Sequence, residues 1–144
     1  MSSNQQERAQ IPQDMKAFNQ KLIAEFRANG GKLSGPMEGR QLVLLTTKGA
    51  KSGEERTVVI GYRPYGDAYA TIASNNGAPK NPAWFHNLMA DPVATAEVGQ
   101  EKFEVRARVA EPAERAELAR RIEYLEPQQA RTEREIPIVV LEKT

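Results

Sequence analysis

The feature that most limits what this chain can fold into is its run of short, strand-forming segments separated by glycine-bearing turns. Residues 40–47 carry the apolar run LVLL flanked by threonines, too short for a good helix and rich in strand formers. Gly49 and Gly53 punctuate the turn KGAKSGEE, and residues 56–63, RTVVIGYR, form a second strand with Gly61 as a bulge or close-approach point. Tyr65-Gly66-Asp67 closes a hairpin into a third strand, AYATIAS. Three consecutive strands joined by short turns predict an antiparallel meander. Residues 93–98 and 102–110 alternate well enough for two more strands linked at Gly99-Gln100, and IPIVVLE makes a sixth that returns beside an early one. Strand–helix alternation of the parallel-sheet kind is missing. These features predict a mainly β fold, a small antiparallel barrel of about six strands with flanking helices, whose closure disposes of exposed strand edges.

Three helices fit around that barrel. Met15, Phe18, Leu22, Ile23 and Phe26 recur at three- and four-residue steps, with Asp14 placed to cap the run and Gly30-Gly31 to end it. The apolar face of this helix covers the core, or else serves a peripheral membrane or partner contact. Asn81-Pro82, as cap and first helical residue, starts the short helix AWFHNLMA. Glu111-Pro112 starts another, with Ala116, Leu118, Ala119, Ile122 and Leu125 on its apolar side and Pro127 interrupting it. Residues 1–13 are expected to form a flexible polar tail, and 14–144 a single domain.

Composition removes whole classes of chemistry. Cysteine is absent, which excludes disulfides, thiolate nucleophiles and cysteine metal sites and suits a reducing cytoplasm; the lone histidine, His86, cannot build a histidine metal centre. Lys plus Arg number 20 against 19 Asp plus Glu, so no global charge favours nucleic acid, and any basic site is local. The polar start and the lack of a long apolar run predict a soluble, cytoplasmic protein.

Two turns hold the candidate residues. Lys48, Lys51 and Arg56 fall within nine positions around two glycines, and Ser52 and Thr57 add hydroxyls. Turn amides bind phosphate oxygens at short range while Lys and Arg supply charge, so this is a candidate anion cradle; a solvated hairpin turn is the plainer alternative. Its spacing is not that of a P-loop. Ser74 to Gly77 bring small residues and amide side chains to a strand end, where backbone can approach a planar ring. Trp84, at the following helix start, is either core or a stacking wall, and Asn87, three residues on, bonds either a ligand or a loop. His86 has no nucleophile motif beside it and suits a surface or packing role. The charges of residues 111–126 alternate in sign as on a solvent face.

Three segments, LLTTKGAKSGEERTVVIGYR, ASNNGAPKNPAWFHNLMADP and REIPIVVLE, together resemble the deazaflavin (F420)-dependent nitroreductases, also described as F420H2-dependent quinone reductases. The likeness covers roughly residues 40–142, and its most specific element is APK-x-PAW-x-x-NL, from Ala78 to Leu88. It implies a split β-barrel of the kind shared with flavin-binding oxidases, holding coenzyme F420 in a groove. It further implies that Lys51, Ser52 and Gly53, with Arg56 and Thr57 and the neighbouring Lys48, hold the cofactor's phosphate and oligoglutamate tail. Ala73, Ser74, Asn75 and Asn76 would line the ring, and Ala83, Trp84, Phe85, His86 and Asn87 would complete the pocket. Two departures stand out. Ser74-Asn75-Asn76-Gly77 replaces the family's usual Ser-Lys-Gly-Gly, and EPQQARTERE lacks the tyrosines that the nitroimidazole-reducing member carries between the late helix and the last strand.

The resemblance implies an enzyme that passes a hydride from F420H2 to a quinone or nitroaromatic acceptor. Ser74 or backbone N–H groups would meet the developing charge, and the neutral protein overall would still need a local basic cradle. The competing readings are an F420 carrier without useful turnover and a split barrel holding FMN or a tetrapyrrole. A homodimer, and contact of the N-terminal helix with the inner face of the cell membrane, are the further expectations.

Overall fold

The computed structural model describes residues 19–33 and 39–144. Helical residues 19–28 (α1) precede strands Leu42–Lys48 (β1), Glu55–Gly61 (β2), Arg63–Tyr65 (β3) and Ala68–Ile72 (β4). A 3-10 turn at Asn75–Gly77 leads to helix Ala83–Ala90 (α2), followed by strands Val93–Val98 (β5) and Glu101–Val109 (β6). Helices Pro112–Arg121 (α3) and Leu125–Gln129 (α4) come next, and strand Ile138–Lys143 (β7) ends the chain.

All seven strands join one antiparallel sheet in the order β2-β1-β5-β6-β7-β4-β3. Its two edge strands, β2 and β3, are separated in sequence by Tyr62 alone. One length of chain therefore supplies both edges: its first half pairs with β1 and its second half with β4. The sheet must curl for this to happen, and the barrel closes at the Tyr62 corner. Thr71 Oγ1 donates to the Gly61 carbonyl at 2.7 Å across that corner, beyond which β2 and β4 diverge. The result is a split barrel, as expected, with seven strands rather than about six because the second strand-forming run breaks at Tyr62. The predicted meander holds for β1–β2 and for the Gly66-Asp67 hairpin, where Tyr65 lies opposite Ala68. It fails between β2 and β4, because β4 pairs with β3 and β7 instead.

Strand alternation sorts the core into layers. Val43 and Leu45 point into the barrel with Trp84, Leu88, Ala96, Val105 and Leu141, whereas Leu42 and Leu44 point outward beneath Phe26 and Leu33. The continuous LVLL run is thus buried on both faces. Leu118, Ile122 and Leu125 cover the outer side of β4 and β7 over Ala70, Ile72, Ile138 and Val140.

The described part of α1 is docked on the barrel. Phe26 is 1% exposed, Leu22 and Ile23 pack on the same cluster, and Arg27 holds Glu97 with two hydrogen bonds of 3.1 and 2.8 Å. Gly31, at φ +89°, passes so close to the β5–β6 turn that a Cβ there would lie 2.5 Å from Gly99 Cα. The apolar face that sequence alone left open to a membrane is spent on the core over these residues; Asp14, Met15 and Phe18 lie outside the described residues, as does the expected tail. Among the described residues no helix is long and apolar enough to cross a membrane.

Two helix boundaries differ from expectation. Pro82, extended at φ −68° and ψ 157°, caps α2, so the helix starts at Ala83, and the Asn81 side chain is used elsewhere. Ala116 and Ala119 are exposed, and the late helix breaks at Ile122–Tyr124; Pro127 sits in the first turn of α4, where its missing N–H costs nothing.

Candidate functional site in the barrel split

Register places the groups that face the split. Leu45 lies opposite Val58 and Thr47 opposite Arg56, so Arg56, Val58 and Ile60 share the inner face with the core residues of β1. Val58, Ile60, Tyr62, Tyr69, Phe85 and Phe103 pack on the inner core yet stay partly exposed, which makes an apolar, aromatic trough. Tyr62 meets Tyr69 edge-on at 5.2 Å, and Tyr69 stacks on Phe103 at 5.5 Å. Desolvation by burial, with the nearby Tyr69, pushes the Tyr62 hydroxyl above its usual pKa. Sequence reasoning missed this lining; the period-two spacing of residues 58, 60 and 62 was the signal for it.

One lip of the split is the β1–β2 turn. Gly53 takes φ +72°, its N–H donates to the Gly49 carbonyl at 2.9 Å, and the Glu54 N–H donates to Ser52 Oγ at 3.1 Å. Lys48, Lys51, Ser52, Gly53 and Arg56 are exposed here, and the first four line a shallow hollow with Ala90 and Asp91. Arg56 Nη2 is 3.2 Å from Glu54 Oε2, but the side chains are 58% and 69% exposed, so this pair is weak and readily exchanged for another anion. Thr57 and Lys48 belong to the opposite face from Arg56: the Thr57 hydroxyl is 2.7 Å from that of Thr46 on the outside of the sheet, and Lys48, opposite Glu55, follows Thr46 on that same face.

Asn87 ties this lip to α2. Its Oδ1 accepts the Ala50 N–H and its Nδ2 donates to Thr47 Oγ1, both at 3.0 Å, and the side chain is 8% exposed. Its amide is thus committed to holding the turn. Trp84 is enclosed in the inner core, which takes it out of ring stacking, while Phe85 is half-buried beside the trough. Ala83 and His86 are exposed, the imidazole ring lying 6.1 Å from that of Phe85. The eight residues of α2 span about 12 Å from the first lip to the second.

The second lip follows β4. Ala73 is buried, Ser74 is right-handed helical at φ −75° and ψ −32°, and Asn75, Asn76 and Gly77 then take φ values of 47°, 56° and 77°. Asparagine tolerates the left-handed region better than other side chains, which is a physical reason for the Asn-Asn-Gly sequence. The turn is held from outside. Asn75 Nδ2 donates to the Lys80 carbonyl and Arg131 Nη1 to Asn76 Oδ1, both at 3.0 Å. Arg131 also packs over Gly77, where a Cβ would fall 2.5 Å from its own Cβ. Arg134 reaches four acceptors: the carbonyls of Ala73 (3.2 Å), Ser74 (2.8 Å) and Ala78 (2.9 Å) and Asn81 Oδ1 (2.7 Å). Sequence reasoning passed over both arginines, because a charge run between a helix and a strand gives no sign of which distant carbonyls it will meet.

The split therefore gathers Lys51, Ser52, Gly53 and Arg56 on one lip, Ala73, Ser74, Asn75 and Asn76 on the other, and Phe85 between them. Such an arrangement can take a flat ring carrying an anionic tail. Among the described residues no cluster of His, Asp and Glu suits a metal ion.

Comparison with known proteins identifies relatives of the whole fold. Residues 19–143 match the family described as F420H(2)-dependent quinone reductase. An F420H(2)-dependent quinone reductase of Mycobacterium tuberculosis (strain ATCC 25618 / H37Rv) is 35% identical over 127 residues, 82% of this chain and 85% of the relative. A solved F420-H2 dependent reductase (FDR-A) superposes with a TM-score of 0.63 at 33% identity, covering 72% of this chain and 95% of its own. A second structure, described as a domain-swapped dimer, superposes with a TM-score of 0.66 at 30% identity over 91% of this chain and 99% of its own. On the match across residues 19–143 and the 35% identity, the chain belongs to the F420H(2)-dependent quinone reductase family.

Proposed function

We propose that this chain is an F420H2-dependent oxidoreductase that reduces a quinone, with nitroaromatics as further candidate acceptors. The observation that carries the reading is the split itself, with a basic turn on one lip, a strained backbone turn on the other and an apolar trough between them. A deazaflavin with a phosphate and a carboxylate-rich tail matches those three surfaces in order, so the residues present fit the cofactor. Bound in its reduced form, F420 supplies the hydride from C5 of its ring, and the acceptor takes that hydride together with one proton from solvent.

The remaining work belongs to the chain. Lys51 and Arg56 hold the anionic tail through charge-assisted hydrogen bonds, and the turn offers the backbone amides of Lys51 and Ser52. Val58, Ile60, Tyr62 and Phe85 exclude water from the ring and give a flat apolar acceptor a surface to stack on. The Ser74 hydroxyl or the amides beside it meet the negative charge that builds on the reacting rings. A homodimer belongs to the same reading, supported by the domain-swapped dimer among the structural neighbours.

Parallel fluorescence and absorbance titrations with F420, FMN and haem test the cofactor, followed by steady-state reduction of menadione by F420H2. F420 is expected to bind tightest. Lys51→Ala and Arg56→Ala are each expected to weaken it about fivefold, the value of roughly 1 kcal/mol per exposed charge pair. A stronger response to FMN, or unchanged affinity in both variants, would overturn the proposal.

A further inference from the structure

We infer that Arg134 is a positioning residue for the cofactor ring: by clamping the Ala73 and Ser74 carbonyls it aims the Ser74 and Asn75 backbone N–H groups into the barrel split. This rests on the cofactor reading above and names the group that builds its second lip.

The direction of the amides follows from peptide geometry. In a planar trans peptide the C=O and N–H point opposite ways, and the described chain has no cis peptide. The Ala73 N–H donates to the Pro137 carbonyl at 3.0 Å, toward β7, and the Ala73 carbonyl turns the same way to accept from Arg134 Nη2. The Ser74 N–H, in the same peptide unit as the Ala73 carbonyl, therefore points away from β7. The Ser74 carbonyl also accepts from Arg134 Nη2, so the Asn75 N–H points away as well. On that side of β4 the neighbour is β3, and past the Tyr62 corner the strand space is the split. Among the described residues neither amide has a protein acceptor. The right-handed to left-handed succession at Ser74–Asn75 is the backbone form in which successive N–H groups converge on one electronegative atom.

Holding that form requires restraint, since consecutive non-glycine residues at positive φ are strained and persist only where their surroundings over-determine them. Arg134 supplies this from both ends, with Nη2 on Ala73 and Ser74 before the turn and Nε and Nη1 on Ala78 and Asn81 after it. A lysine ammonium lacks the planar fork needed to serve groups on both sides. The ligand class for the two amides is an electron-rich carbonyl or ring-nitrogen edge of a planar heterocycle, the edge that gains charge when the ring changes oxidation state.

The test uses the full chain as wild type, Arg134→Ala and Arg134→Lys, titrated with oxidised F420 by cofactor fluorescence. It is followed by 15N–1H spectra with and without F420, and by thermal melting. In the wild type, F420 should shift the Ser74 and Asn75 amides along with the Gly53 amide. In Arg134→Ala the Kd should rise at least tenfold and the Ser74 and Asn75 shifts should vanish while the Gly53 shift remains; Arg134→Lys should recover only part of the affinity. A purely structural arginine would lower the melting temperature without separating the two sets of amides. Wild-type affinity in Arg134→Ala, or wild-type Ser74 and Asn75 amides that stay still while Gly53 moves, overturns the inference alone. If Arg134→Ala does not fold, the wild-type amide comparison and Arg134→Lys decide by the same criteria. A wild type that binds no F420 removes the cofactor reading, and this inference with it.

Discussion

Asn87→Ala should loosen the first lip while leaving the barrel assembled, and its cost can be worked from the two contacts the amide makes. Both hydrogen bonds are 3.0 Å long, and one joins two buried side chains, since Asn87 is 8% and Thr47 1% exposed. A hydrogen bond contributes about 1 kcal/mol net, and a buried partner left unsatisfied costs about 1–3 kcal/mol. The Ala50 N–H lies at an exposed residue and can turn to water, so it belongs at the low end. The sum is about 2–4 kcal/mol, a large share of the roughly 5–15 kcal/mol that holds a typical domain. For a chain of this length that corresponds to a fall in melting temperature of roughly 6–15 °C. Thr47→Val removes the same buried bond from the other side and strands Asn87 Nδ2. The double variant Thr47→Val/Asn87→Ala replaces both partners with apolar groups, so the single costs should not add, and a coupling of about 0.5–3 kcal/mol is expected. Urea titration and melting of the four proteins measure it. Affinity for F420, taken at a temperature where every variant is folded, should drop in Asn87→Ala because the amide carries the Lys51 turn. Additive single losses, or a melting shift under about 3 °C for Asn87→Ala, would refute the assignment of Asn87 as the tie between α2 and this turn.

Two further outcomes follow from the same geometry. Thr57→Val should leave the Kd for F420 within about twofold of wild type and cost roughly 1 kcal/mol of stability, since its hydroxyl meets Thr46 on the outer face; a large loss of affinity in the titration would return Thr57 to the cradle. Stability should also depend on Glu114 in acid. Arg108 foremost, then the Glu111 N–H and the Tyr65 hydroxyl, bind its carboxylate and hold its pKa at about 2 against an ordinary 4.5. A carboxyl depressed on folding contributes stability that is fully present above its unfolded value and is lost as pH falls toward the folded one. Melting temperature should therefore fall from about pH 4.5 to pH 2, and Glu114→Gln should flatten that slope, as measured by melts across that range.

What could be seen in the sequence was what local chemistry controls. Strand-forming runs, the Gly66-Asp67 hairpin and the Gly99-Gln100 link are short-range signals, and they marked β1, β4, β5, β6 and β7 to within a few residues. The barrel corner was only hinted at, by Gly61 and Pro64 within RTVVIGYRPY; what bends the run at Tyr62 is the demand that one length of chain pair with β1 and then with β4. The face assignments of the site were recoverable in principle. Once a register is known, period two alone puts Arg56 inside and Thr57 outside, yet register is a tertiary fact. Trp84 shows the same limit, since a tryptophan near a helix start suits a core as well as a stacking wall, and only the barrel interior around Leu88 and Val43 decides between them.

The arginines of the second lip mark a deeper boundary. Segment 129–135 was notable in sequence only for the aromatics it lacks, yet in the folded chain Gln129, Arg131 and Arg134 bond backbone or side-chain groups that stabilise the loops on either side of it. An Arg side chain recognises carbonyls by the direction of their lone pairs and not by the residues that carry them, so its partners leave no compositional trace. The left-handed turn did leave one. Asn75 and Asn76 stand at the two positions where positive φ would penalise most other side chains. An external clamp makes two strained asparagines the lowest state. The four acceptors gathered by Arg134 provide it, so the Asn75-Asn76 turn and the unremarkable TERE segment form one structural unit.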